Sequence, residues 1–360
     1  MSIINHSVCT VIPPHILRHA ADSNDREAAL AASGALVQEV VLPVARELLL
    51  PAQVGPVMTG RTRRIFDARG AEVLPGTLIL DEDCRTTTTD VQALQAFRAC
   101  GVFYNFLAIA FLHNSIDNHG MAIDATVHYG HEYPNAFWNG RQVVFGDGDG
   151  RLVGRLTNNI EVVAHELMHG VVQYCARLPY TGQGGALCES LADVFGYGAK
   201  LFRHGLTAKQ ADWLIGAGVF GPAVRAQAIR SMLHPGTAYD DPILGRDPQP
   251  AHMRDYVHSP EDNGGVHINS GIPNRAFALT ALELGGFPWA TAGRIWYRVM
   301  TAKLLPDATF ASFARDTVEV AGELNGHGGC VQHAVLKAWE AVGIPVRRPL
   351  SRRAPRRANN

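Results

Sequence analysis

The pentad His165-Glu166-Leu167-Met168-His169 holds the residue types that metal-assisted hydrolysis needs. On a helix, positions i and i+4 share a face, so both imidazoles can meet one ion. Glu166 lies one position round, within reach of a water at the same ion. A bound zinc polarises a carbonyl and lowers the pKa of water towards about 7. A carboxylate beside it can take the released proton. Alone the pentad is a weak signal: it arises by chance in roughly 3 of 100 such chains. Two surface histidines on a helix would look the same.

A catalytic zinc usually has three protein ligands and one open position. After His169 the chain offers Gly-Ala-Leu-Cys-Glu-Ser-Leu-Ala-Asp, residues 185–193. Glu189 and Asp193 again stand at i and i+4. One can bind the metal while the other accepts a hydrogen bond from a ligating imidazole and fixes its tautomer. A solvated acidic face would give the same spacing. The neighbours Ala186, Leu187, Leu191, Ala192, Val194 and Phe195 instead put both carboxylates near a core, where idle charge is costly.

With these two blocks the sequence resembles the thermolysin-like metallopeptidases, which carry His-Glu-x-x-His followed by Glu-x-x-x-Asp at this spacing. The resemblance runs from about 60 to 345. It includes His128-Tyr129-Gly130 followed by Asn135-Ala136-Phe137-Trp138-Asn139-Gly140, Gly-Asp-Gly-Asp-Gly at 146–150, Arg230-Ser231-Met232, and Asp262-Asn263-Gly264-Gly265-Val266-His267. Several blocks in the right order are far more specific than the pentad. Pro13-Pro14-His15-Ile16-Leu17-Arg18 resembles the short propeptide motif of the protealysin branch, as do the stretches around Asp212-Trp213 and 235–240.

The resemblance implies a zinc endopeptidase with His165, His169 and Glu189 as ligands and Glu166 as general base. It implies that Asp193 supports a ligand, that His267 and Tyr180 donate to the developing oxyanion, and that Asp262 orients His267. Asn135, Ala136 and Arg230 would hold the substrate backbone, the peptide lying as an added strand. Val153, Leu156, Val162, Ile215 and Ile229 match the primed-side pocket and imply cleavage before Leu, Ile, Val or Phe; some of the five could simply be core. The implied partners are peptide or protein substrates and the chain's own propeptide, which would inhibit by packing and occlusion. Two other readings stay open: a zinc exopeptidase, and a silent binding protein that keeps the fold.

The chain departs from the family in places. Cys188 stands where an Asn usually supports a zinc-ligand histidine. Of the family's double calcium site only Glu161 and Asp212 match; Lys200, Leu214 and Ala217 replace other ligands. A lysine cannot ligate calcium, so no double calcium site is expected, with the Lys200 ammonium pairing with Glu161 or Asp212 instead. Residues 146–150 read as a tight turn. Cys9 offers a thiol that could cap the metal in the precursor, a minor alternative to occlusion.

These residues need positioning elements, and the patterning supplies them. The fold class is α+β, a β-rich N-terminal domain and a mainly helical C-terminal domain flanking the zinc-binding helix. The expected divisions are 1–55 propeptide, 56–177 N-terminal peptidase domain, 178–345 helical domain and 346–360 an Arg-rich disordered tail. Short strands are expected at 77–80, 126–129 and 142–145. Helices are expected within 15–50, at 91–116, from 159, and near 188–204, 208–216, 271–284, 288–302, 308–322 and 329–341. Asn158 and Asn159 are candidate N-caps.

Composition sets the outer bounds. Of 360 residues, 47% are apolar and 18% charged, an ordinary globular balance, and the net charge is -1. That charge gives no reason to expect nucleic acid or membrane as a partner, and a monomer is expected. Six scattered cysteines form no Cys-x-x-Cys pair and leave room for a disulfide or two. No window reads as a membrane span. Secretion is favoured, although the N-terminus lacks a signal peptide's basic start and apolar run; an intracellular zymogen is the alternative.

Overall fold

In the computed structural model, residues 10–41, 60–83 and 85–346 are described. Two short helices come first, α1 (Pro14–Ala21) and α2 (Arg26–Val41). Pro13 and Pro14 start α1, with Pro at the first helical position where its missing N–H costs nothing. A sheet then forms from β1 (Arg63–Asp67), β2 (Thr77–Asp81), β3 (Ile123–Val127), β4 (Ala136–Trp138) and β5 (Val143–Phe145). Its order is β2-β1-β3-β5-β4, which leaves β4 at an edge.

Between β2 and β3 runs α3 (Val91–Phe111). Asp90 caps it, its carboxylate accepting from the Ala93 N–H at 2.7 Å, and Leu112 ends it in the left-handed region. By length and hydropathy α3 is the one described helix able to cross a membrane. It carries Arg98, however, and lies over the sheet and against later helices with Ala93, Ala96, Phe103 and Phe106 buried. Core packing accounts for its apolar character.

Helices α4 (Ile160–Cys175) and α5 (Gly182–His204) form the most extensive helix–helix contact. Gly196 of α5 permits it. A Cβ there would lie 2.8 Å from the Glu161 carbonyl oxygen and 2.9 Å from the His165 nitrogen. The chain continues through β6 (Leu214–Ile215), β7 (Arg230–Ser231), β8 (Asp240–Asp241) and β9 (Gly245–Arg246). Five helices follow: α6 (Asp262–Asn269), α7 (Gly271–Leu284), α8 (Ala292–Ala302), α9 (Phe310–Asn325) and α10 (Cys330–Ala341). The α+β class is as expected.

Local expectations fail in instructive places. Residues 208–216 are a turn leading into β6, not a helix. Trp213 takes a φ of 58°, and the Asp212 carboxylate accepts from the Leu214 N–H at 3.1 Å and the Tyr197 hydroxyl at 2.6 Å. Those contacts favour a turn over propagation. Asn159 is the N-cap of α4 by position, but its side chain makes no cap. It donates to the Ala217 carbonyl at 2.8 Å. The tight turn expected at 146–150 lies slightly later, at 149–153, because the Gly146 and Gly148 N–H groups bond the Asn135 and Tyr133 carbonyls and carry the chain on beside them. Asp149 accepts from the Arg151, Leu152 and Val153 N–H groups, and Asp147 pairs with His128. Cys100, Cys175, Cys188 and Cys330 are free thiols, so no disulfide exists among the described residues. Cys9, Cys84, the boundary near 55 and residues 347–360 lie outside them.

Candidate active site

Helical spacing on α4 brings His165 and His169 onto one buried face, as i and i+4 require. Their Nε2 atoms face each other at 3.1 Å. Across the α4–α5 contact, the Glu189 carboxylate approaches them at 3.5 and 3.6 Å. Donor atoms on a tetrahedral zinc with bonds of 2.0–2.1 Å stand about 3.3 Å apart. The three distances bracket that value, so His165, His169 and Glu189 fit the ion. The Glu166 carboxylate belongs to the same group of potential ligand atoms, all within 4.8 Å of one another with those of His165 and His169. Burial pushes the Glu166 carboxyl up to about 8, and the charge of His165 pulls it back.

Asp193 anchors two sides of the site. Its carboxylate lies 2.9 Å from His165 Nδ1, and it accepts the Arg230 guanidinium at 2.7 and 2.9 Å and the Asn274 amide at 2.8 Å. Burial disfavours its charge, yet Arg230 and His165 hold it well below the usual carboxylate range. Asn274 reaches this carboxylate from α7. It stands 81 residues beyond Asp193, and no local pattern links them. Cys188 is buried beside Glu189.

The third side is α6. Asp262, Asn263, Gly264 and Gly265 all have positive φ, a reversal that glycine makes affordable in two of the four. The reversal folds Asp262 back onto His267: Oδ1 lies 2.6 Å from Nδ1, and Oδ2 accepts the backbone N–H at 2.9 Å. Burial would lower His267, but Asp262 and Glu189 outweigh it and hold the imidazole up at about 9. The Tyr180 hydroxyl stands 3.3 Å from His267 Nε2 and donates to Glu189 at 2.5 Å. His267 and Tyr180 therefore converge as donors beside the would-be metal ligands.

The N-terminal segment crosses this cleft. Thr10 bridges Phe137 in antiparallel sense, and the Val11 N–H donates to the Ala136 carbonyl at 3.1 Å. Asn135 grips Ile12 twice, accepting its N–H at 2.8 Å and donating to its carbonyl at 3.1 Å. Arg230 donates to the Val11 carbonyl at 3.2 Å, and the Thr10 carbonyl lies 3.1 Å from His267 Nε2. Asn135, Ala136, Arg230 and His267 thus hold residues 10–12 beside the edge strand β4, with one bridge at Thr10 and bends at Val11 and Ile12. Val153, Leu156, Val162, Ile215 and Ile229 are all buried, in the same continuous core as Val11.

Residues 57–173 match the family model of the thermolysin metallopeptidase catalytic domain, and residues 176–344 match that of the thermolysin metallopeptidase alpha-helical domain. The chain belongs to the thermolysin family. An extracellular metalloprotease of Pectobacterium carotovorum subsp. carotovorum is 46% identical over 342 residues, which cover 94% of this chain and 97% of the relative. A thermolysin of Alicyclobacillus acidocaldarius is 35% identical over 289 residues, covering 78% of this chain and 50% of that longer protein. Among solved structures, the precursor of protealysin, a metalloproteinase from Serratia proteamaculans, superposes with a TM-score of 0.84. It is 45% identical and covers 93% of this chain and 99% of that one. This thermolysin-family chain is a hydrolase, a metalloendopeptidase, and its family implies zinc.

Proposed function

We propose that this chain is the zymogen of a zinc endopeptidase and that His165, His169 and Glu189 hold its ion. The observation that carries the proposal is the buried donor set, spaced as a tetrahedral zinc requires, with a chain segment lying across the same cleft. The ion would polarise the scissile carbonyl and activate water. Glu166 takes the proton of the attacking water and hands it to the leaving amine. His267, charged through Asp262, and Tyr180 donate to the carbonyl oxygen as it gains negative charge. Asn135, Ala136 and Arg230 align the substrate backbone, and Asp193 holds Arg230 and His165 in register.

Residues 10–12 support a prosegment that inhibits by occupying the cleft like a substrate strand, with Val11 in the place of the residue after the scissile bond. An aliphatic side chain there, together with aliphatic Val153, Leu156, Val162, Ile215 and Ile229, supports cleavage before Leu, Ile, Val or Phe. The name of the Pectobacterium relative supports export of the mature enzyme. No double calcium site is needed: Lys200 Nζ lies 3.3 Å from Glu161 and 3.4 Å from Asp212.

Mapping the products of casein or a long quenched peptide by mass spectrometry tests this reading. Internal cuts should leave Leu, Ile, Val or Phe as new N-termini, and o-phenanthroline should abolish them. Stepwise trimming from a chain end would instead favour an exopeptidase.

A further inference from the structure

Behind residues 10–12, α1 rests on the rim of the cleft. Ile16, Leu17 and Ala20 are buried there. Arg18 pairs with Glu261. The His19 ring lies over Gly245, where a Cβ would stand 3.1 Å from it. One polar contact is different in kind. His15 Nε2 lies 2.9 Å from the Tyr239 hydroxyl, while His15 Nδ1 is buried with no hydrogen-bond partner. A neutral imidazole can leave one nitrogen bare at modest cost. An imidazolium carries a proton on both nitrogens, and one of them would be buried and unsatisfied.

The charged surroundings do not rescue it. Asp262 faces His15 from α6, but His267 already engages that carboxylate. Arg230 of β7, His267 of α6 and Arg18 of α1 all place positive charge towards it. Tyr239 adds only a neutral hydroxyl, its own pKa raised by burial. Burial pushes the His15 imidazole down to about 3; Asp262 pulls it back, and the three cations add to the fall.

We propose that His15 is an acid-sensitive latch: the N-terminal segment holds the cleft while His15 is neutral and leaves it as His15 gains a proton. The proposal rests on the reading of residues 10–21 as a docked prosegment. The sign follows from linkage. The imidazole titrates near 6.5 when undocked and far lower when docked. Docking is therefore at full strength above about pH 6.5 and weakens by up to about tenfold per unit below it, about 30-fold by pH 5. The Asp25–Arg151 contact that fastens the start of α2 has its Asp25 held below the ordinary range by Arg151, so it does not titrate in this window.

Hydrogen exchange of the full-length chain from pH 8 to pH 5, corrected for intrinsic rates, tests the latch. Amides of Val11, Ile16 and Leu17 should be protected at pH 8 and lose about 30-fold in protection by pH 5, while α9 holds its protection. His15→Gln, which can meet Tyr239 but cannot titrate there, should flatten that slope. Equal slopes in the two proteins would overturn the latch and leave the prosegment reading standing. No protection of residues 10–21 at pH 8 in the wild type would overturn both. Should His15→Gln fail to dock, the wild-type His15 resonance decides: titration near 6.5 in the docked chain overturns the latch, and its absence down to pH 5 upholds it.

Discussion

Asp193 serves two functions with one carboxylate. It turns the Nδ1 side of His165, and it neutralises the guanidinium that grips a chain in the cleft. Asp193→Asn keeps the shape and removes the charge. It should weaken zinc binding by about 10–100-fold through the loosened imidazole. It should also cost about 3–5 kcal/mol of stability, since a buried Arg230 loses its counter-charge. Chelator competition and thermal melting read the two effects; wild-type values in both would show that Asp193 does not join the two halves of the site. At this scale the sequence was legible where function follows helical spacing. His165, His169, Glu189 and Asp193 are two i, i+4 pairs, whereas the pairing of Asp262 with His267 was implied by the family resemblance alone, since residues 262–265 have positive φ and no helical spacing. Asn274 was not legible, because its bond to Asp193 is made by the packing of α7 on α5 and leaves no mark in the spacing.

Among the elements, α4 and α5 had clear signatures because long apolar periodicity survives any local accident. Residues 208–216 did not, because a left-handed Trp213 and the Asp212 contacts decide the backbone there, and neither is visible as a pattern. The three-residue strand β4 is too short to alternate, although it forms the edge on which the N-terminal segment lies. The junction of α4, α5 and the β6 turn is held by Lys200. Its ammonium lies between Glu161 and Asp212 and 5.3 Å from the Tyr197 ring centre. Glu161 is only 3% exposed, so Lys200→Met should cost about 1–3 kcal/mol by stranding that carboxylate. Millimolar calcium should leave the melting temperature of the wild type unchanged. A bound ion at 100 times its Kd would add about 2.7 kcal/mol, so a clear rise would mean that a calcium site survives.

For the whole molecule, the same chain supplies both the cleft and its occupant. Asn135, Ala136, Arg230 and His267 make hydrogen bonds with residues 10–12, and these are the residues we propose for a peptide substrate. Activity should therefore be gated by removal of the N-terminal segment. The most direct measurement follows zinc-loaded full-length protein over time, by intact mass spectrometry alongside hydrolysis of a quenched peptide. The account predicts that the intact chain is silent and that hydrolysis rises in step with loss of the N-terminal segment. It predicts that Glu166→Gln, folded and zinc-loaded, stays silent even after that segment is removed. Full activity from the uncleaved chain, or none from the wild type once the segment has gone, would contradict it.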